Sequence, residues 1–210
     1  MISFRTLLAA AALAFAAGGA SAQNPSEYGT ISPPQPYEAG KIEVIEFFWY
    51  GCPHCAHLEP FVQKWMQTLP KDVVFKRMHA LPGNSWIEHA TMFYTLEAMG
   101  LSDKLQQKIF DAIHSEGVNL NTKSTRDAWL QKQGVDPAKY AEVEKSFSVQ
   151  TKINNARQKT QAFKIDGVPT MFVNGKYFTS NSHAQGDTKK ILDIVDQLIV
   201  KARKETVAAK

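Results

Sequence analysis

The sequence IEVIEFFWY at residues 42–50 predicts a buried central β-strand, because it is β-branched, aromatic and almost continuously apolar. Apolar residues then recur over residues 58–69 at the spacing i, i+3, i+4, i+7, i+8 and i+11, which predicts a helix. Residues 73–78 have the composition of a second strand. A strand, a helix and a strand in this order form a βαβ unit, so the sequence predicts an α/β fold with parallel pairing.

The segment that follows has a different pattern. Helical stretches are predicted around residues 86–99, 103–115, 125–133 and 137–163, the last with a break near Ser146. Residues 169–173 and 176–178 then flank Asn174-Gly175, a dipeptide typical of a two-residue β-hairpin. A final amphipathic helix is predicted to begin near Asp187. The predicted order is therefore βαβ, an all-helical block, and ββα.

The N-terminus has the features of a secretory signal peptide over residues 1–22. Arg5 supplies the positive charge, residues 7–17 form an apolar run, and Ala20-Ser21-Ala22 matches a cleavage site. The alternative of a membrane anchor is disfavoured, because 11 apolar residues are too few to span a bilayer. Residues 23–40, which are rich in proline, are predicted to form an extended lead-in.

Composition narrows the class of protein. Of 210 residues, 44% are hydrophobic and 21% are charged, which is ordinary for a globular chain. The formal net charge of +4 is too small and dispersed to indicate nucleic-acid binding. The two cysteines, Cys52 and Cys55, exclude a scaffold of several disulfides and a zinc site of four thiolates.

Cys52-Pro53-His54-Cys55 lies where the first strand gives way to the helix. Cys52 is predicted at the helix N-terminus, exposed and favouring the thiolate, with Pro53 suited to the first turn and His54 supplying a nearby donor. Cys55 shares the apolar face of the helix and is predicted to be buried and to favour the thiol. This inequality indicates a nucleophile, Cys52, and a resolving cysteine, Cys55.

Other uses of the motif are weaker alternatives. A structural disulfide closing so short a loop would add little stability. Metal binding through the cysteines with His54 or His57 lacks a second ligand pair at suitable spacing. Covalent haem attachment needs histidine at residue 56, which is Ala56. The remaining histidines have no comparable context and are predicted to be surface or core residues: His57, His79, His89, His114 and His183.

Several motifs together resemble the DsbA family of periplasmic thiol:disulfide interchange oxidants, within the thioredoxin superfamily. They are Glu46-Phe47-Phe48, Cys52-Pro53-His54-Cys55, Gly167-Val168-Pro169 and MFVNGKY at residues 171–177. The resemblance covers most of the mature chain. It implies a thioredoxin-like fold interrupted by an inserted all-helical domain. We expect residues 41–84 and 163–205 to form the discontinuous thioredoxin-like domain and residues 85–162 to form the insert.

The resemblance also implies further site residues. Val168 and Pro169 would form a cis-proline turn that offers the Val168 backbone to an extended substrate, whereas the residues alone equally allow a trans proline at a strand start. Glu46 by itself reads as a charge on an edge strand facing solvent. In the family the matching acid is buried beneath the cysteines, so we expect Glu46 to assist proton transfer at Cys55, with Arg77 as its partner.

The predicted function is that of a periplasmic thiol:disulfide oxidoreductase that donates its Cys52–Cys55 disulfide to newly secreted proteins with free thiols. The resemblance implies reoxidation by a membrane quinone-linked partner of the DsbB type. We expect no cofactor beyond the cysteine pair, no metal, no nucleic acid and a monomer. The alternatives are a disulfide reductase or isomerase on the same fold, and a peptide-binding holdase whose cysteines are incidental.

Overall fold

A computed structural model describes residues 26–208. The predicted signal peptide, residues 1–22, lies outside the described residues. The strands are β1 Gly29–Thr30, β2 Ile42–Phe48, β3 Val73–His79, β4 Thr170–Val173 and β5 Tyr177–Ser180. The helices are α1 Pro53–Met66, α2 Ile87–Ala98, α3 Ser102–His114, α4 Lys123–Lys132, α5 Pro137–Glu144, α6 Phe147–Ala162 and α7 Lys190–Ala208, with a 3₁₀ turn at Asn84–Trp86.

The five strands form one mixed sheet in the order β1-β5-β4-β2-β3. The strand β2 lies between β3, to which it is parallel, and β4, to which it is antiparallel. All of its residues are buried, as its apolar sequence predicts. In this register Glu46 is opposite Arg77 on one side and Met171 on the other. The sheet therefore places a charged pair at the strand that leads to the cysteines.

The helix α1 contributes residues to two apolar clusters. One packs Leu58 and Val62 of α1 against α7 and the sheet. The other is the core of the helical segment, and it also contains Cys52 and Cys55. Residues 87–162 contain five helices and none of the five strands. Because Phe48 of β2 and both cysteines belong to the core of this helical segment, the N-terminal end of α1 lies where the segment packs against the sheet.

The hairpin turn shows why its sequence is Asn174-Gly175. Both residues have positive φ, 47° and 58°, which a tight two-residue turn of this kind requires. A Cβ atom at Gly175 would lie 2.1 Å from the backbone oxygen of Gln35. The Gln35 N–H donates to the carbonyl of Gly175. Glycine at this position therefore also allows the lead-in to pack on the turn.

The predicted elements are present, and the structure refines two of them. The break near Ser146 is confirmed, since α5 ends at Glu144 and the Ser146 hydroxyl accepts the Val149 N–H to begin α6. The last helix begins at Lys190, because Asp187 lies before it and caps the backbone N–H groups of Lys189 and Lys190. The lead-in is not wholly irregular: β1 pairs with the edge of β5, a tertiary contact that no local pattern reveals.

No helix within residues 26–208 combines the length and apolarity needed to cross a membrane.

Candidate active site

Cys52 is the N-cap residue of α1, and Pro53 occupies the first helical position. Its backbone N–H donates to the carbonyl of Trp49 at 3.0 Å, which closes a tight turn between the strand and the helix. Its thiol donates to the carbonyl of Val168 at 3.2 Å. The cysteine is thereby held between the end of β2 and the loop that precedes β4.

The two thiols have opposite environments. A hydrogen bond from the Cys55 thiol lowers the pKa of Cys52 to about 7, and the backbone N–H groups of Cys55 and His54 add to this effect against the cost of burial. Burial raises the pKa of Cys55 well above its usual value, and the nearby Cys52 and Glu46 raise it further. Cys52 is therefore the more readily ionised of the two thiols, and Cys55 stays a thiol at neutral pH.

The prediction that Cys52 is exposed is wrong. Cys52 is 7% exposed and Cys55 is 1% exposed, and both are free thiols in this structure. Cys52 is covered because its sulfur lies against the Val168 carbonyl and its side chain joins the apolar cluster of the helical segment. The stabilisation of its thiolate comes from neighbouring donors and not from free access to water.

The other two residues of the motif lie on the surface. Pro53 and His54 are both exposed. The backbone N–H of His54 is one of the donors that lower the pKa of Cys52.

The Val168–Pro169 peptide bond is cis, so the trans alternative does not hold. The strand β4 begins at the next residue, Thr170, whose hydroxyl donates to the Gly167 carbonyl at 2.8 Å. The loop therefore presents the carbonyl of Val168 directly to the sulfur of Cys52.

Glu46 is 2% exposed, so it is not a charge on the solvent side of an edge strand. Arg77 lies opposite it on β3, with the Arg77 Nε atom 3.4 Å from Glu46 Oε2. The same guanidinium donates to Glu59 Oε1 at 2.9 Å, and Glu59 is 1% exposed. A third contact, at 3.2 Å, reaches Asp103 at the start of α3. One buried cation thus faces two buried carboxylates and one exposed carboxylate.

Burial raises the pKa of Glu46, and Arg77 partly opposes the shift. Burial likewise raises the pKa of Glu59 to about 7, with Arg77 opposing and Glu46 adding to the shift. One guanidinium only partly offsets the burial of the two carboxylates, so both pKa values are raised.

Glu59 was not singled out in the sequence, although a signal for it was present. It follows Cys55 by four residues in a predicted helix, so the two side chains lie on the same face. A glutamate on the buried face of that helix requires a buried cationic partner. Arg77 fills this requirement.

No three His, Cys, Asp or Glu side chains within residues 26–208 converge as metal ligands. Two of the histidines predicted as surface or core residues, His79 and His89, are buried near the motif. His114 contacts the carbonyl of Tyr50 at 2.8 Å through Nε2.

Residues 43–191 match the family model of the DSBA-like thioredoxin domain. The thiol:disulfide interchange protein DsbA of Bordetella parapertussis is 45% identical over 206 residues, which cover 96% of this chain and 98% of that protein. The DsbA of Pseudomonas aeruginosa is 42% identical over 178 residues, 84% of either chain.

Solved structures agree with these sequence matches. The crystal structure of Pseudomonas aeruginosa DsbA aligns with a TM-score of 0.81 at 41% identity, covering 88% of this chain and 95% of that one. The oxidoreductase NmDsbA1 of Neisseria meningitidis aligns with a TM-score of 0.76 at 30% identity, covering 87% and 95%. The predicted thioredoxin-like fold with a helical insertion is confirmed.

Proposed function

The chain belongs to the DSBA-like thioredoxin family and is a thiol:disulfide oxidoreductase, and on this premise we propose that it donates a Cys52–Cys55 disulfide to newly secreted proteins. The observation that carries the proposal is the inequality of the two thiols at the N-terminus of α1. Cys52 has a lowered pKa and faces the Val168 loop, whereas Cys55 has a raised pKa and is buried. Access directs the attack to the Cys52 sulfur, because Cys52 faces the Val168 loop and Cys55 is almost fully buried.

The exchange takes place in two steps. A client thiolate attacks the Cys52 sulfur, the Cys52–Cys55 bond breaks, and Cys55 takes up a proton as it leaves. A second client thiolate then attacks the client sulfur of the mixed disulfide and releases Cys52 as a thiolate. The client loses two electrons and gains a disulfide, and the protein gains the two electrons as a dithiol.

The lowered pKa of Cys52 assists the second step, since a stabilised thiolate is a better leaving group. At a pKa of about 7, roughly half of the Cys52 thiols are ionised at neutral pH. Each further stabilisation of the thiolate in the reduced protein makes the disulfide form more oxidising.

Val168 supplies the recognition of the client backbone in this proposal. Its carbonyl lies beside the Cys52 sulfur, in the loop that leads into β4. An extended client that pairs with the Val168 backbone brings its own cysteine to Cys52, as in other strand-addition complexes.

Glu46 supplies the proton for Cys55. The charge of Glu46 helps to raise the pKa of the Cys55 thiol. Glu46 is itself buried, and burial raises its pKa. A buried carboxyl group with a raised pKa can give a proton to the departing Cys55 thiolate and recover one from Glu59 or water. Arg77 limits the cost of the charged form by pairing with both acids.

The wider setting follows from the predicted signal peptide and from the family. The protein acts in the periplasm as a monomer, on unfolded secreted proteins with free thiols, without a cofactor beyond its cysteine pair. A membrane quinone-linked protein of the DsbB type reoxidises it. Residues 41–84 and 163–205 form the thioredoxin-like domain, and residues 85–162 form the inserted domain that covers the N-terminal end of α1.

The direction of the reaction is tested by equilibrating the mature protein with glutathione redox buffers and titrating the ultraviolet absorbance of the Cys52 thiolate. The family relationship leads us to expect a potential closer to about −120 mV, the value known for the DsbA couple, than to about −270 mV, the value known for thioredoxin. A thioredoxin-like potential would overturn the oxidase proposal in favour of a reductase.

The role of Glu46 is tested by Glu46→Gln, with Glu43→Gln as the matched control. Glu43 is buried on the same strand but pairs with Lys76, away from Arg77. We expect Glu46→Gln to slow formation of the mixed disulfide with a client peptide about tenfold and Glu43→Gln to leave it unchanged. Equal rates in both variants would remove Glu46 from the mechanism.

A further inference from the structure

Two tryptophans lie stacked beside the cysteine pair. Trp49 is three residues before Cys52, and its carbonyl accepts the Cys52 N–H at 3.0 Å. Trp86 ends the 3₁₀ turn that leads into α2. Their ring centroids are 4.2 Å apart and their planes differ by 9°, which is a parallel stack. This pair, called the tryptophan stack below, joins the turn before α1 to the start of the helical segment.

The position of the Trp49 ring is fixed by the glycine that precedes Cys52. A Cβ atom at Gly51 would lie 2.4 Å from the ring carbon Cζ2 of Trp49, so the indole lies directly against the Gly51 backbone. Gly51 thus leaves room for the ring, and Trp86 holds it by stacking. The indole is therefore held at the turn that leads into Cys52, the nucleophile.

The orientation of the Trp49 indole is unusual for a half-exposed side chain. Its polar atom, Nε1, is buried and has no hydrogen-bond partner among the described residues. The side-chain surface that Trp49 presents to solvent therefore consists of carbon alone. Tryptophan normally turns its N–H to a partner or to water. The reversed orientation presents an apolar surface next to Cys52.

The stack is continuous with the site described above. Cys52 contacts Trp49 through its backbone N–H and Val168 through its sulfur. Trp49, Trp86 and Val168 all pack at the rim of the apolar cluster that contains Cys52. A client paired with Val168 presents side chains to the same face at every second residue, about 7 Å apart along the strand. Residues near the client cysteine are thereby brought to the stack.

The chemistry of the occupant follows from where disulfides lie in folded proteins. Cysteine is among the most buried residue types, so residues near a disulfide-forming cysteine are enriched in apolar side chains. We propose that the tryptophan stack is a client subsite that binds a large aliphatic or aromatic side chain close to the client cysteine. The subsite makes the protein prefer cysteines destined for a hydrophobic core, and this inference rests on the oxidase function proposed above.

The test uses two synthetic peptides that each contain two cysteines and differ only in the flanking residues. One peptide carries leucine and phenylalanine beside the cysteines, and the other carries serine and glycine. The oxidised, mature protein is mixed with each peptide, the reaction is quenched with acid, and the peptide disulfide is quantified by mass spectrometry. The ratio of the two second-order rate constants is the readout, because it does not depend on the fraction of active protein.

We expect the native protein to oxidise the apolar peptide about tenfold faster, equivalent to about 1.4 kcal/mol. Trp86→Ala is expected to lower this ratio to about twofold or less, and Trp86→Phe, which keeps a flat ring in the stack, to retain most of it. Phe147→Ala is the matched control, because it removes an exposed aromatic ring at the start of α6. We expect it to leave the ratio at about tenfold.

Two results would overturn the subsite: a native ratio near one, or a ratio in Trp86→Ala equal to the native value. Failure of the oxidase function would look different, since neither peptide would then acquire a disulfide from the native protein. A normal ratio in Trp86→Phe combined with a collapsed ratio in Trp86→Ala supports the subsite.

Discussion

Arg77 in β3 and Arg126 in α4 each face carboxylates, but the two regions differ in how the charge is balanced. Arg77 meets two carboxylates, Glu46 and Glu59, that are almost fully buried. The partners of Arg126 reach solvent, with side-chain exposures of 47% for Glu88 and 16% for Glu144. Water can compensate the charges in the helical segment but not those beneath the cysteines.

The two regions also differ in which buried side chain is kept uncharged. Beneath the cysteines, burial favours a protonated carboxyl group and raises the pKa of Glu59 to about 7. Beside Arg126, burial and the arginine itself lower the pKa of His89 to about 4, so its imidazole stays uncharged. A raised carboxyl pKa costs stability as pH rises, whereas a lowered imidazole pKa costs stability as pH falls. The two regions are therefore expected to respond to pH in opposite directions.

The largest expected difference is between Arg77→Met and Arg126→Met. Arg77→Met leaves two buried carboxylates without a cation and is expected to lower the free energy of unfolding by about 3–5 kcal/mol at about pH 8. At about pH 5 the loss is smaller, because both carboxyl groups can take up protons. Arg126→Met is expected to cost about 1–3 kcal/mol, since its partners can turn to solvent. Urea unfolding at both pH values measures these losses, and equal losses at both sites would remove the distinction.

The second difference concerns His89, which is buried and faces Trp49, Tyr50, Glu88 and Arg126. Its folded pKa of about 4 lies below the ordinary 6.5, so its contribution to stability is complete above about pH 6.5 and is lost as pH falls toward 4. His89→Leu is expected to remove about 2–3 kcal/mol of the stability loss between about pH 7.5 and pH 4.5. Urea unfolding across this range provides the measurement.

The matched control for this experiment is His57→Leu, which removes an exposed imidazole from α1. It should leave the slope of stability against pH as it is in the native protein. An unchanged slope in His89→Leu would show that the helical segment has no acid-sensitive group at this position.

The third difference is between Glu59→Gln and Glu144→Gln. The folded pKa of Glu59 is raised to about 7, so its carboxyl group costs stability as pH rises from about 4.5 to 7. Glu59→Gln is expected to stabilise the protein by about 1–2 kcal/mol at about pH 8 relative to pH 5. Glu144→Gln removes a partner of Arg126 and is expected to destabilise the protein by about 0.5–1 kcal/mol. Thermal unfolding at the two pH values tests whether the effects have opposite signs.

Local patterns were sufficient to predict β2, the βαβ unit, the Asn174-Gly175 hairpin and the break at Ser146, since each depends on periodicity or turn chemistry. The helical boundary at Cys52 also follows from its sequence neighbours. The burial of Cys52 did not, because it depends on the Val168 loop, which is 116 residues distant in sequence. Long-range pairing likewise decides β1.

The buried charges show the same limit. The apolar run around Glu46 indicated burial only with the help of a family resemblance, because one strand does not reveal its neighbours. The sharing of Arg77 between α1, β2 and β3 requires three elements to be positioned at once. The spacing along the helix relates Glu59 to Cys55, but it does not show that Glu59 shares Arg77 with Glu46. The resemblance gave Arg77 as the partner of Glu46 alone.

The smallest expected effect concerns Asp103, the residue through which the helical segment touches Arg77. Its Oδ1 atom lies 3.2 Å from Arg77 Nη1, but its side chain is 83% exposed, so water screens the pair. Asp103→Asn is expected to change the free energy of unfolding by less than about 0.5 kcal/mol, and the change should vanish at about 1 M salt. Asp111→Asn, on the exposed face of the same helix, is the control for a lost surface charge. A loss above about 1.5 kcal/mol in Asp103→Asn alone would mean that the insert balances the charge of Arg77, because an exposed pair is too well screened to contribute that much. The charge beneath the cysteines would then depend on the packing of the helical segment, and the two regions would titrate as one.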